Sequence, residues 1–308
     1  MPHSLPFGDR LDSVIRSSGS VACVGLDPRA QQLPPSLRPA NPQDPAAVAA
    51  AYETFCIGII DAVAAHVGIV KPQAAFFEEQ GPAGMLALAR IVSHATSRGL
   101  LVILDGKRND IGTTAEAYAN AYLGSQSAWK CDALTVSPYL GRDSIEPFLA
   151  RCDETNSGIF VLVKTSNPGG GYLQDQVAQS RAIYRHVAEL VSGLNAPRCG
   201  SSNYGPVGAV VGATYPEQLQ ELRAAMPNSP ILIPGFGAQG GAAKDVSLGF
   251  DAQGRGAIVN SSRHILFAFE RAEFKQKFGP QRWQEAAEAA TVEMNQQLNA
   301  VRNTQSVG

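Results

Sequence analysis

The stretch Asp105-Gly106-Lys107-Arg108-Asn109-Asp110 sets two acids and two bases directly behind the apolar run 100–104. Only 17% of the chain is charged, so such crowding at the end of a strand-like segment asks for a reason. Asp105 and Lys107, one residue apart on an extended strand end, would project to the same side. A lysine held beside carboxylates keeps its proton, and the carboxylates keep their charge. That fixed array can stabilise negative charge developing in a reaction and has a proton to deliver. Lys71, just past the run 68–70, would join it if the two strands were neighbours. As a stabilising device such an array is poor, because its desolvation offsets the pairing. A structural salt-bridge network and a solvated turn are the alternatives that residue types leave open.

Other apolar runs end in polar residues in the same way. Asp27 follows 21–24, the segment Thr165-Ser166-Asn167-Pro168-Gly169 follows 159–163, and Ser261-Ser262-Arg263 follows 257–259. After 231–233 comes Gly235-Phe236-Gly237-Ala238-Gln239-Gly240. Glycines at 235 and 237 let backbone N–H groups approach an anion. Arg263 offers a bidentate pair to phosphate oxygens, and Gln239 a donor from the same loop. Phosphate binding is the reading these two ends favour together; a tight turn beside a surface arginine is the alternative.

Elements must bring these ends together. Short apolar runs lie at 21–24, 68–70, 100–104, 133–136, 159–163, 207–211, 231–233 and 257–259, with little polar alternation, as in parallel strands covered on both faces. Helix-like stretches alternate with them at 46–65, 82–98, 113–126, 144–151, 174–191, 216–225 and 240–248, and a last helical region, about 265–301, closes the chain. Strand then helix, eight times, predicts the α/β class and a (β/α)8 TIM barrel, whose catalytic residues lie at the C-terminal strand ends. The runner-up is an open doubly wound sheet, but no G-x-G-x-x-G follows the first strand. No linker or composition break divides the chain, so 1–308 is read as a single domain. The segment 195–205 reads as an exposed loop without a role.

Composition narrows the partners. A net charge of -2 gives no footprint for nucleic acid or an acidic membrane. No basic segment followed by an apolar one opens the sequence, and no apolar run approaches the ~20 residues of a membrane span. Five scattered cysteines without C-x-x-C predict reduced thiols in a cytoplasmic protein. The five histidines show no metal-ligand spacing, so no metal site is expected.

The pattern Asp105-x-Lys107-x-x-Asp110-Ile111-Gly112-x-Thr114 resembles the signature of the orotidine 5'-monophosphate (OMP) decarboxylase family. Lys71 in GIVKPQAAFFE, Ser166 in TSNPGG, Gln239 in PGFGAQGG and Arg263 in NSSR follow in the family's order, and KPQAAFFE with the chain length resembles its longer bacterial subgroup. The resemblance runs from about 21 to 267. It implies decarboxylation of OMP to UMP, in de novo pyrimidine synthesis, without a cofactor. It also implies a homodimer with shared active sites. Asp110 and Thr114 would then serve the neighbouring subunit, while Asp105, Lys107 and Lys71 serve their own. By that resemblance Lys107 supplies the proton, Ser166 reads the pyrimidine edge, Asp27 and Lys71 hold the ribose, and the Gly235–Gly237 loop, Gln239 and Arg263 hold phosphate. Relatives in the same superfamily that share D-x-K-x-x-D bind Mg2+ through a glutamate at the end of the second strand, where this chain has Lys71. A catalytically silent nucleotide-binding barrel would not need both Asp105 and Lys107.

Overall fold

In the computed structural model, residues 4–237 and 243–303 are described. Eight parallel strands close into a barrel: β1 (Ala22–Leu26), β2 (Ile69–Pro72), β3 (Leu101–Arg108), β4 (Ala133–Val136), β5 (Gly158–Lys164), β6 (Val207–Val211), β7 (Ile231–Ile233) and β8 (Ala257–Ser261). Each strand pairs with the next in sequence, and β8 returns to β1. The strands form because runs such as Val-Gly-Ala-Val-Val present β-branched side chains that fit a sheet buried on both faces; all of β1, β2, β4, β6, β7 and β8 is buried. The helices cover the outer face, and Phe55 of helix Pro45–Val63 packs 5.0 Å from Trp283 of helix Trp283–Asn303.

The inner layers are matched by size. Gly208 of β6 pairs with Phe160 of β5, and a Cβ at 208 would lie 2.5 Å from the Phe160 ring. Helix Phe7–Ser18 seals the N-terminal end of the barrel: Phe7 meets Phe160 edge-on at 6.1 Å, and Arg10 pairs with Asp132 at 2.5 Å and donates to the Asn156 carbonyl. The loop 195–205 belongs to this seal. The Asp9 carboxylate accepts from the backbone N–H groups of Ser201 and Ser202, and buried Asn195 accepts from Val207 N–H while its amide donates to Ser229 Oγ.

Three expectations change. The helix expected at 174–191 begins only at Ile183, because Val177–Ala178 and Arg181–Ala182 pair as a small antiparallel hairpin. Its turn residues Gln179 and Ser180 both take positive φ, the twist that a two-residue hairpin requires. The closing region 265–301 is broken into Arg263–Leu266, Ala272–Lys277 and Trp283–Asn303, with Gly279 in the left-handed region and Pro280 behind it ending the middle piece. Helix Pro45–Val63 is, by length and composition, apolar enough to cross a membrane, which the sequence reading did not anticipate. Here Val48, Tyr52, Phe55, Ile59 and Val63 of that helix are buried in the core.

Overpacking a close-fitted interior costs roughly 1–3 kcal/mol. Gly208→Ala is therefore expected to lower the unfolding free energy by that order, read as a lower urea midpoint with an unchanged slope by circular dichroism.

Candidate active site

The C-terminal mouth of the barrel opens into a cleft of about 460 Å³ bordered by Lys71, Asp105, Lys107, Thr135 and Ser166 on its polar side, and by Leu162, Val210, Leu232 and Pro234 on its apolar side. Asp105 sits at its centre. One carboxylate oxygen, Oδ2, accepts from Lys71 Nζ at 2.6 Å; the other, Oδ1, accepts from Lys107 Nζ at 2.6 Å and from Thr135 Oγ1 at 3.0 Å. Both lone-pair faces of the buried carboxylate are thus occupied by donors.

Two of these charges are locked by their surroundings. Burial alone would push the Asp105 carboxyl up, but the Lys71 and Lys107 ammonium groups and their hydrogen bonds outweigh it and hold the group well below the usual carboxylate range. Burial likewise works against the charge on Lys71, and the Asp105 and Asp27 carboxylates overcome it and raise its pKa. Cys23, on the inner face beneath them, stays a neutral thiol: burial raises it to about 12.

Lys107 differs from its expected conformation. It is not on an extended strand end: its φ is +46°, in the left-handed region, and the pairing of β3 with β4 slips between Leu104 and Arg108. A non-glycine residue there carries strain of order 1 kcal/mol. The Thr135 hydroxyl helps to hold it, accepting from Lys107 N–H at 2.9 Å. The twist leaves the Lys107 side chain about half exposed, reaching over the cleft, whereas Lys71 lies in the wall. Thr135 escaped the sequence reading. Its signal was a hydroxyl at the end of an otherwise apolar strand, Ala-Leu-Thr-Val.

The other predicted residues divide. Ser166 lines the cleft on the loop after β5, whose base is clamped by the ion pair of Lys164 with Asp175 and by Gln174, which accepts from Thr165 N–H and donates to Thr165 Oγ1. Asp27, past the end of β1, has a buried Oδ1 with no hydrogen-bond partner among the described residues. Gly235 and Gly237 take φ of +89° and +79°, and a Cβ at 237 would meet the His264 ring at 3.0 Å, so glycine is required there by both backbone and space. Their loop is tied to β8 by Phe236 N–H donating to the Asn260 carbonyl and Ser261 Oγ donating to the Phe236 carbonyl. Arg263 is exposed at the start of helix Arg263–Leu266 with no carboxylate partner among the described residues. Gln239 lies outside the described residues. Asp110 is not brought to Lys107: it accepts from Ile111 N–H at 2.8 Å and forms no ion pair among the described residues. Thr114 and Ile111 are exposed beside it on the rim. No group of three or more His, Cys, Asp or Glu among the described residues is arranged to hold a metal ion.

A model of the orotidine 5'-phosphate decarboxylase / HUMPS family matches residues 21–276. The chain belongs to this family. The orotidine 5'-phosphate decarboxylase of Rhodopirellula baltica is 61% identical over 299 residues, spanning 96% of this chain and 99% of the relative. That of Haloarcula marismortui is 41% identical over 297 residues, with the same coverage of 96% and 99%. The solved structure of Leishmania donovani OMP decarboxylase has a TM-score of 0.75 and 33% identity, covering 97% of this chain and 99% of that one. An orotidine 5'-phosphate decarboxylase family member is thus a closed barrel whose signature aspartate and lysine meet Lys71 at one mouth.

The two shifts set a pH window. The folded pKa of Asp105 lies below its unfolded value, so its stabilising contribution is present above the unfolded pKa and is lost as pH falls through the folded one. Lys71 is shifted up, so its contribution is present below its unfolded pKa and is lost as pH rises through the folded one. The stability difference between wild type and Asp105→Asn should therefore be level between about pH 5 and 9 and shrink below about pH 4. Urea midpoints across that range check it; a difference that grows on acidification contradicts the locked carboxylate.

Proposed function

We propose that the chain decarboxylates orotidine 5'-monophosphate to uridine 5'-monophosphate in pyrimidine biosynthesis, acting as a single barrel domain over 1–308, with a Lys71-Asp105-Lys107-Asp110 array and no cofactor. Family membership carries the enzyme class, a carboxy-lyase. The observation that carries the rest is the buried carboxylate of Asp105 shared between two ammonium groups at the floor of a nucleotide-sized cleft.

When CO2 leaves C6 of the pyrimidine, the electron pair of the C6–C bond stays on C6 with no conjugated system to spread it. Stabilisation then has to come from charges already in place. Lys107, half exposed over the cleft, lies beside C6 in this reading; its ammonium stabilises the pair and then transfers one proton to C6, and solvent restores the lysine. Asp105 holds that ammonium in position, Thr135 holds the backbone behind it, and Lys71 keeps Asp105 ionised. Ser166 reads the pyrimidine edge, and Asp27 and Lys71 take ribose hydroxyls. The Gly235–Gly237 loop, Gln239 and Arg263 take the phosphate, whose remote binding energy is used to assemble the site. A lysine where a Mg2+-binding relative carries glutamate disfavours a cation in the mouth.

Asp110 and Thr114 complete the array of a second copy in a homodimer. In support, Asp110 forms no ion pair among the described residues of its own chain, and the loops after β3 and β4 expose Ile111, Tyr139 and Leu140. A net charge of -2 and five free cysteines agree with a cytoplasmic small-molecule enzyme.

Loss of the OMP absorbance on adding purified protein tests the activity. Lys107→Ala should lower turnover by several orders of magnitude with the fold intact, and Lys107→Arg should not restore it, because guanidinium keeps its proton. EDTA should leave the rate unchanged; a loss restored by Mg2+ would move the protein to the metal-dependent relatives. For the shared site, Asp110→Ala and Lys107→Ala homodimers should each be nearly inactive. Mixed, they should recover roughly a quarter of the wild-type rate, since random exchange makes about half the molecules heterodimers with one intact site. Subunit exchange shown by mass spectrometry without recovery would place Asp110 in its own site.

A further inference from the structure

One polar side chain inside the barrel, a layer below Lys71, has no task in the reaction described above. Asn260, the fourth residue of β8, is only 6% exposed. Register partners on neighbouring parallel strands share a face, and so do residues two apart on one strand. Asn260 pairs with Cys23, and Gly25, two residues on, pairs with Lys71. Asn260 therefore faces the interior of the barrel on the same side as Lys71. Glycine at 25 leaves the space that the amide uses: a Cβ there would lie 3.0 Å from Asn260 Oδ1 and 1.9 Å from Ser262 Oγ.

That amide is poorly satisfied. Among the described residues, Nδ2 makes one long hydrogen bond, 3.4 Å, to Ser262 Oγ, and Oδ1 is buried with no partner. Turning the amide over would exchange an orphan acceptor for an orphan donor and leave the same deficit. A buried polar group without a partner costs about 1–3 kcal/mol, and a fold keeps such a group where something else supplies the partner. Asp27 Oδ1, past the end of adjacent β1, is a second buried orphan, in the mouth. The backbone carbonyl of Asn260 meanwhile anchors the Gly235–Gly237 loop through Phe236 N–H, and Arg263 follows three residues later. Asn260 thus stands between the candidate ribose contacts, Lys71 and Asp27, and the candidate phosphate loop.

We propose that Asn260 is a substrate-binding residue whose carboxamide hydrogen-bonds a ribose hydroxyl of the bound nucleotide. This rests on the reading of the cleft as an OMP site. A hydroxyl fits because it both donates and accepts, so it satisfies the amide in either orientation. It also explains why the amide is tolerated there, since the other buried polar side chains, Lys71, Asp105 and Thr135, have partners in one another.

The test uses UMP, 2′-deoxy-UMP and 3′-deoxy-UMP binding to wild type and Asn260→Ala by calorimetry, with urea midpoints of both free proteins. The variant should bind UMP about tenfold to a hundredfold more weakly. Its free form should be as stable as wild type or more so, since an orphan group has been removed. For one of the two deoxy nucleotides the difference between the proteins should vanish, because the hydroxyl is already gone. UMP affinity within twofold of wild type overturns the proposal. So does equal weakening towards all three nucleotides, or a lowered urea midpoint, either of which makes the amide structural. OMP turnover by wild type is measured alongside. If wild type decarboxylates OMP and Asn260→Ala binds UMP equally well, only the present proposal fails; a wild type that neither binds UMP nor turns OMP over overturns the function and this proposal with it.

Discussion

A single carboxylate, that of Asp105, governs the mouth of this barrel. Taking one charged group out of water is expensive, and taking two is more so unless each finds a partner. Here one carboxylate serves two ammonium groups and a hydroxyl, with Lys71 on one oxygen and Lys107 and Thr135 on the other. The arrangement demands three strands in a set order, because Lys71, Asp105 and Thr135 come from β2, β3 and β4. Barrel closure provides it: β2, β3 and β4 are neighbours, so Lys71 and Thr135 reach the Asp105 carboxylate from the strands on either side.

The division of labour between the ends of the barrel follows from this. The N-terminal end is sealed by aromatic contacts, the Arg10–Asp132 pair and the Asp9 clasp on the loop 195–205. At the C-terminal end Asp27 Oδ1 and Asn260 Oδ1 are buried and Arg263 is exposed, each without a partner among the described residues.

How far the sequence alone could be read depends on whether a property is periodic or positional. The strands 133–136, 207–211 and 231–233 match the observed bounds because burial on both faces leaves an unbroken apolar signal. Lys71, Asp105 and Lys107 were found because the barrel rule converts a strand end into a place in space. The hairpin at 177–182 was missed because its turn uses Gln179 and Ser180 in place of the glycine or asparagine that marks such turns. The left-handed twist at Lys107 was invisible for the same reason, since nothing in Asp-Gly-Lys-Arg says which residue after the glycine will take positive φ. Thr135 and Asn260 went unremarked as lone polar residues in apolar strands, whose importance appears only once neighbouring strands show what faces them.

The seal at the N-terminal end also bears on the order in which the molecule comes together. Helix Phe7–Ser18 is made before all of its partners: Arg10 waits for Asp132, Phe7 for Phe160, and Asp9 for Ser201 and Ser202. Contacts so far apart along the chain are entropically costly and form late. This helix is thus held in reserve, its apolar face uncovered, until β5 and the loop before β6 exist to receive it. During that interval a nascent chain has an amphipathic segment with no place to dock, and translation through roughly two hundred residues separates its appearance from its burial.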